Sequence, residues 1–367
     1  MTKSNEAEAI IAAYTKDLDL YRAFESSMRN LVENVLGDAG VAVHSVTSRT
    51  KENDSLSKKV SKNPSKYGAI SEITDVVGLR VIVHFSDDVD KVAEIIKREF
   101  AIDDVNTADK RKELAPDSFG YMSLHHVVQL SEKRHTLTEY KRYSGMKCEI
   151  QIRTILQHAW AEIEHDLGYK SKFGITDEIK RRFSMLASLL ELGDDQFMTV
   201  RDKISEYTVK ATKEIKSGGE EVQINAVSVE IFVTQSPLIA QLEILIIEAT
   251  DIKSSPPYKG MYEEMARSCQ YCGFQSIGDV EKSLVSHKDE VEEFCKRFFL
   301  TASFKVHAVS TGFSILFFCH YFVALRGGTS EFIEYFNGLG YARHITEIFK
   351  EVVPFAQEVE KAFRKTT

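Results

Sequence analysis

In the stretch CEIQIRTILQHAWAEIEH, residues 148–165, Glu149, Gln151 and Arg153 alternate with Cys148, Ile150 and Ile152 before the pattern turns helical. Period-two alternation predicts a strand that packs one face on a core and turns an acid, an amide and a base toward water or a cleft. A solvated sheet face carries the same pattern, so the other polar clusters decide what those three groups would meet. In SRTKENDSLSKK, Arg49 and Lys51 are near neighbours, and Ser55 and Lys59 follow one helical turn apart. That set suits a polyphosphate, although a solvated charged loop and helix would read alike. In ITDVVGLRVIVHF, Asp75 stands at the start of a predicted strand, Gly78 permits close backbone approach, and Arg80 alternates with the apolar Val81 and Val83. An acid there can hold Mg²⁺ through one carboxylate while phosphates complete the shell. FGYMSLHH puts Gly120 and Tyr121 ahead of a strand carrying Ser123 and His125 on one face. Tyr121 is then either a stacking platform for a base or a core tyrosine beside a turn glycine.

Two carboxylates, Asp75 and Glu149, several cations and an aromatic platform fit a magnesium-dependent transfer from a nucleoside triphosphate. In such a transfer, positioning and charge neutralisation supply most of the catalysis.

The elements that must hold these groups follow from periodicity. VAVHSVTSR, GLRVIVHF, YMSLHHVVQL and KCEIQIR read as strands, and DDVDKVAEIIKREF, with Val89, Val92, Ile95 and Ile96, reads as a helix packed on the sheet. Ile10, Ile11, Tyr14 and Leu18 predict one long helix from about residue 4 to 36, stopped at GDAG. Helical stripes continue from Ile179 to Ile215, and KSGGEE, residues 216–221, is the expected linker. Beyond it SPLIAQLEILIIEA and SIGDVEKSL open with serine caps, whereas VQINAVSVEIFV reads as a strand that rejoins a sheet. The expected fold is therefore α/β: a mixed sheet flanked by helices over residues 1–215, then a mainly helical domain over 222–367.

Composition narrows the class. With 367 residues, 43% hydrophobic and 28% charged, the chain has ordinary globular composition and room for two cores. MTKSNEAEAIIAAYTKDL has no basic region leading into an apolar one, so a cytoplasmic location is expected. No membrane partner is expected either: the one long apolar run, GFSILFFCHYFVAL, is too short to span a bilayer comfortably and reads as a buried core helix. Five scattered cysteines suit reduced thiols. The CxxC of Cys269 and Cys272 lacks a second ligand pair, so thiols in a helical core or on the surface are expected before a metal site. The net charge of −8 excludes a coat for bulk nucleic-acid binding but leaves a local basic groove open. From Lys216 onward 15 basic residues face 20 acidic ones, so that part is not an RNA-binding tail.

SRTK with Ser55 and Lys59, then TDVVGLRVI, FGYMSLH and CEIQIRTILQHAWAEIEHDLGYK resemble, in order and spacing, the RelA/SpoT synthetase family over roughly residues 40 to 172. The resemblance implies a nucleotidyltransferase-like fold that moves the β,γ-pyrophosphate of ATP onto a ribose 3′-hydroxyl. It assigns Arg49, Lys51, Ser55, Lys59 and Arg80 to ATP and Asp75 to Mg²⁺. Glu149 would activate the acceptor hydroxyl or share the metal, and Tyr121, His125, Gln151 and Arg153 would lie beside the acceptor.

The sequence departs from the family at one phosphate contact. Small alarmone synthetases carry a PKxNGY-like segment whose lysine helps hold the phosphates of GDP or GTP, and here the segment is APDSFGY, with Asp117 in the lysine's place. An anion there repels a 5′-diphosphate more than a neutral loss would. The expected acceptor is therefore the 3′ CCA end of tRNA, the target of toxic members, with a (p)ppGpp synthetase acting on GDP or GTP as the alternative. Lys110 to Lys112, Lys141, Arg142, Lys170, Lys172 and Lys180 to Arg182 would track an RNA backbone or simply be surface charges. The fused helical domain resembles that of CapRel-type toxin–antitoxin proteins. This implies an autoinhibited, translation-blocking toxin of anti-phage defence, released when a phage protein such as a capsid protein binds the second domain.

Overall fold

The computed structural model describes residues 3–62, 66–109, 111, 123–170, 176–301, 307–340 and 352–364. The chain divides into two units, Met1–Arg201 and Asp202–Thr367.

The first unit opens with α1 (Lys3–Lys16) and α2 (Leu18–Asp38), not the single helix expected over 4–36. The break at Asp17 separates two packing jobs. Ile10 and Tyr14 of α1 join a small core with Leu56 and Val60 of α3 (Asn53–Lys62), whereas Phe24, Met28, Val32 and Leu36 of α2 pack on the sheet. One straight helix could not serve both. The sheet is built from β1 (Val43–Thr50), β2 (Val77–Val83), β3 (Phe100–Ile102), β4 (Ala108–Asp109), β5 (Leu124–Leu130) and β6 (Cys148–Thr154). Strand order is β1-β2-β6-β5-β3, with β4 also on β5. Only the central β2–β6 pair is parallel, so the sheet is mixed, as the alternating segments led one to expect. Val77, Leu79, Val81, Cys148, Ile150 and Ile152 face α2 and α4 (Ser86–Glu99) and form the core. After α5 (Glu132–His135) and β6, helix α6 (Ile155–Lys170) follows directly.

Helix α7 (Asp177–Lys216) is 40 residues long and crosses the division between the units. Its first half is tied to the first unit by polar contacts. Asp194, 4% exposed, accepts a 2.7 Å hydrogen bond from the Thr154 hydroxyl at the end of β6. Arg201 pairs with Asp87 at 2.7 Å, and Trp160 Nε1 donates to the Phe183 carbonyl at 3.2 Å. Its last turns pack Tyr207, Ala211 and Ile215 into the second core. Residues 216–221 then turn the chain, with Gly218 and Gly219 in the left-handed region.

The second unit is mainly helical: α8 (Ala226–Gln235), α9 (Pro237–Thr250), α10 (Met261–Tyr271), α11 (Ile277–Ser286), α12 (Lys288–Thr301), α13 (Phe313–Leu339) and α14 (Val352–Arg364), with β7 (Lys253–Ser255) paired to β8 (Ala308–Ser310). The strand expected in VQINAVSVEIFV is helix α8 instead. Asn225 and Ser228 form a reciprocal capping box, which starts a helix just where Val229, Phe232 and Val233 fall on its buried side. The apolar run from Gly312 is the buried helix α13, with Phe318, Cys319 and Tyr321 at 0% exposure. Its first turn is capped by the buried Glu243 carboxylate, which accepts from the Gly312 and Ser314 backbone N–H groups and the Ser314 hydroxyl. All five cysteines are free and buried, and Cys269 Sγ lies 3.8 Å from Cys319 Sγ inside this core. Among the described residues no single helix is long and apolar enough to cross a membrane.

Burial pushes the Asp194 carboxyl up to about 6, against the lowering effect of the Thr154 hydroxyl. Its folded value lies above its unfolded one, so folding binds a proton and the stability gained from it fades as pH rises through about 4 to 6. Asp194→Asn, which keeps an acceptor for Thr154 and no charge, should raise the melting temperature near about pH 7.5 and lose that advantage near about pH 4. Thermal melts at both values check this; an equal shift at each would show that the charge is not what destabilises.

Candidate active site

One face of the sheet carries the core and the other lines a cavity of 310 Å³. Register brings its walls together: Arg49 of β1 lies opposite Gly78 of β2, Gly78 opposite Glu149 of β6, Arg80 opposite Gln151, and Gln151 opposite His125 of β5. Arg49, Asp75, Gly78, Arg80, Glu149 and Gln151 all line the cavity, as do His158 and Glu162 from α6. A Cβ added to Gly78 would meet Arg49 Cγ and the Glu149 carbonyl only at 3.9 Å, so the glycine serves to leave space in the cavity rather than to avoid a clash.

Asp75 sits in the turn before β2, with Lys51 Nζ at 2.9 Å on one oxygen and Lys59 Nζ at 2.7 Å on the other. The two lysines come from the end of β1 and from α3, and the small core around α1 sets their distance. Tyr14 is fully buried there and donates its hydroxyl hydrogen bond to the Lys51 carbonyl, while the Lys51 N–H donates to the Val76 carbonyl at 2.8 Å. Burial alone would raise the Asp75 carboxyl, but Lys59 and Lys51 outweigh it and hold the group below its ordinary value. Asp75 is thus ionised at neutral pH.

Glu149 Oε1 lies 2.6 Å from His125 Nδ1. Burial and the charge of Asp75 act to raise the Glu149 carboxyl, yet its contacts with His125 and Gln151 bring the net value below the ordinary one. Arg80 Nη1 pairs with Glu162 at 3.1 Å, and His158 stands 4.0 Å from the same carboxylate oxygen. Burial, reinforced by the Arg153 and Arg80 charges, lowers His158, so its imidazole is neutral at pH 7.

The predicted residues are distributed as follows. Arg49, Asp75, Arg80, Glu149 and Gln151 share the cavity, Lys51 and Lys59 reach it through Asp75, and His125 reaches it through Glu149. Ser55 is exposed on the first turn of α3 and does not line the cavity. Arg153 is 2% exposed and donates from its guanidinium to the Gln151 side-chain oxygen, so it supports a residue of the cavity wall without lining the cavity itself. Tyr121 and Asp117 lie outside the described residues. Sequence reasoning passed over His158 and Glu162, although their i,i+4 spacing in QHAWAEIEH puts both on one helical face. Among the described residues no group of three or more His, Cys, Asp or Glu side chains gathers for a metal. Apart from Glu162 of α6, the carboxylates that line the cavity are Asp75 and Glu149, which are near enough for their charges to interact.

Residues 48–173 match the region found in RelA/SpoT proteins. GTP pyrophosphokinase YjbM of Bacillus subtilis (strain 168) is 27% identical over 220 residues, which is 58% of this chain and 97% of that protein. GTP pyrophosphokinase YwaC of the same organism is 26% identical over 132 residues, 36% of this chain and 60% of that protein. Among solved structures, small alarmone synthetase 1 from Bacillus subtilis overlaps 53% of this chain and 99% of its own, at 24% identity and a TM-score of 0.45.

The bond from Tyr14 to Lys51 joins α1 to the cation-bearing loop, and Tyr14→Phe removes it while keeping the ring. The change should lower unfolding free energy by about 1–2 kcal/mol, because the Lys51 carbonyl loses its side-chain partner. Urea unfolding followed by circular dichroism measures it; an unchanged midpoint would mean that this bond does not help hold the loop.

Proposed function

We propose that the first unit is a magnesium-dependent pyrophosphokinase that transfers the β,γ-pyrophosphate of ATP to a ribose 3′-hydroxyl, with GDP or GTP as acceptor. The observation that carries this reading is the meeting of Asp75, held by Lys51 and Lys59, with Glu149 in one cavity, inside the residues that match RelA/SpoT proteins. The names of the two curated relatives, both GTP pyrophosphokinases, favour a guanosine nucleotide as acceptor.

In this reading Arg49 and Arg80 hold the ATP, and Lys51 and Lys59 turn from Asp75 toward its phosphates, with Ser55 at the edge of the site. Asp75 and Glu149 offer the hard oxygen donors that suit Mg²⁺, which keeps only one or two carboxylates and takes the rest of its shell from phosphates and water. When bound, the ion neutralises charge on the transferred group. Glu149, already ionised and held by His125, accepts the proton of the ribose 3′-hydroxyl. The oxygen forms a bond to the β-phosphorus, the bond from that phosphorus to the α,β-bridging oxygen breaks, and AMP leaves with the electron pair. Gln151, held by the Arg153 guanidinium, borders the acceptor, and the resemblance adds Tyr121 as a further acceptor contact.

A second acceptor is favoured by one observation. Asp117 in APDSFGY replaces the cation expected at a 5′-diphosphate, which suits the 3′ CCA end of tRNA better. The second unit then serves as a restraint on a translation-blocking toxin, released by a phage protein that binds it.

Asp75→Asn and Glu149→Gln should each lower transfer from γ-labelled ATP by about a hundredfold or more, the first by releasing the lysines and the metal, the second by losing the base. Offering GDP, GTP and bulk tRNA in parallel identifies the acceptor; near-normal turnover in either variant would sink the assignment.

A chain ending at Lys216 should transfer pyrophosphate faster than the full chain and arrest growth on expression. A soluble truncated protein with unchanged rate would contradict the restraint.

A further inference from the structure

Among the described residues β1 is an edge strand, paired only with β2. Its one buried apolar residue is Val46, and its last four residues, Thr47, Ser48, Arg49 and Thr50, are all polar. Yet this end of the strand must aim Arg49 into the cavity and deliver Lys51 to Asp75. Alternation sends Ser48 and Thr50, with Val46, toward α2. There Glu25, half-buried on α2, takes both: Ser48 Oγ donates to Glu25 Oε1 at 2.5 Å and Thr50 Oγ1 donates to Glu25 Oε2 at 2.8 Å. One carboxylate thus grips the two residues on either side of Arg49.

We infer that Glu25 is a positioning residue for ATP: by bonding Ser48 and Thr50 it fixes the strand segment that aims Arg49 and starts the turn to Lys51. The inference rests on the reading of the cavity as an ATP site. Backbone pairing to β2 restrains this segment within the sheet, but it leaves motion of the edge away from α2 open, and the carboxylate closes it. Bonds to a carboxylate are stronger than those between neutral groups, which suits a clamp on a strand end that brings little apolar packing of its own. A displacement of about 1 Å at a phosphate-binding cation is enough to lose an order of magnitude in binding or rate.

The test measures affinity for α,β-methylene ATP and steady-state kinetics in the full chain. Glu25→Ala should weaken the analogue by about tenfold and raise the ATP KM similarly, while kcat at saturating ATP and the acceptor KM stay within about twofold. Glu25→Gln, whose amide can still bond both hydroxyls, should recover most of the affinity. The double variant Ser48→Ala/Thr50→Val should reproduce Glu25→Ala from the other side of the clamp, which keeps the test decisive if Glu25→Ala folds poorly. On an Arg49→Ala background Glu25→Ala should cost less than it does alone, because one of the two cations it places is gone. Additive losses, or unchanged analogue affinity in Glu25→Ala and in the double variant, would overturn the inference. If the wild-type chain itself fails to bind the analogue, the ATP reading of the cavity falls instead.

Discussion

The first unit depends on keeping one carboxylate charged between two ammonium groups. Asp75 is mostly out of water, which by itself would favour its neutral form, and Lys51 and Lys59 reverse that preference. The price is paid in architecture: Lys51 comes from the end of an edge strand, Lys59 from a ten-residue helix, and Asp75 from a turn before the central strand. Strand pairing and the Lys51 N–H bond to the Val76 carbonyl hold Lys51 beside Asp75, but Lys59 must be brought to the same carboxylate from a separate helix. The small core of Ile10, Tyr14, Leu56, Val60, Ile73 and Val76 does so, which is why α1 leaves the line of α2 and packs on α3.

In the proposed reaction this cluster exchanges partners. Two lysines on one acid are held ready at short range, and an incoming polyphosphate offers them more charge than Asp75 does. The released carboxylate then faces the same space as Glu149. Glu149 is kept ionised by His125 despite its burial and its acidic neighbour, so the cavity presents an available proton acceptor beside an arrangement of cations. Arg80 is similarly occupied, by Glu162, and would have to exchange partners. In that proposal the ion pairs of Lys51, Lys59 and Arg80 stand in for ligand contacts and keep the cationic side chains ordered.

Much of this was legible in the sequence because strand alternation is a strong local signal. CEIQIR, GLRV and SRT each announce which side chains share a face, and the observed register aligns Arg49, Gly78 and Glu149 across three strands. What could not be read is what depends on packing between distant segments. The hydrophobic stripe over residues 4–36 is continuous in sequence, but its two halves serve different cores. VQINAVSVEIFV has β-rich composition, and the cap formed by Asn225 and Ser228 decides for a helix. Arg153 has the parity of the cavity face yet is buried near the end of its strand, with its guanidinium on the Gln151 side chain. His158 and Glu162 escaped notice since a helical pair of polar residues is ordinarily a solvated face. Glu25 carries no local signal at all; its partners lie on another element.

The most direct test is a crystal structure of the chain with α,β-methylene ATP and Mg²⁺. The account predicts the β- and γ-phosphates within hydrogen-bond distance of Lys51, Lys59 and Arg49, with both lysines drawn off Asp75 and the β-phosphorus open on the side of Glu149. Nucleotide bound elsewhere, with the Lys51–Asp75–Lys59 cluster undisturbed, would contradict it.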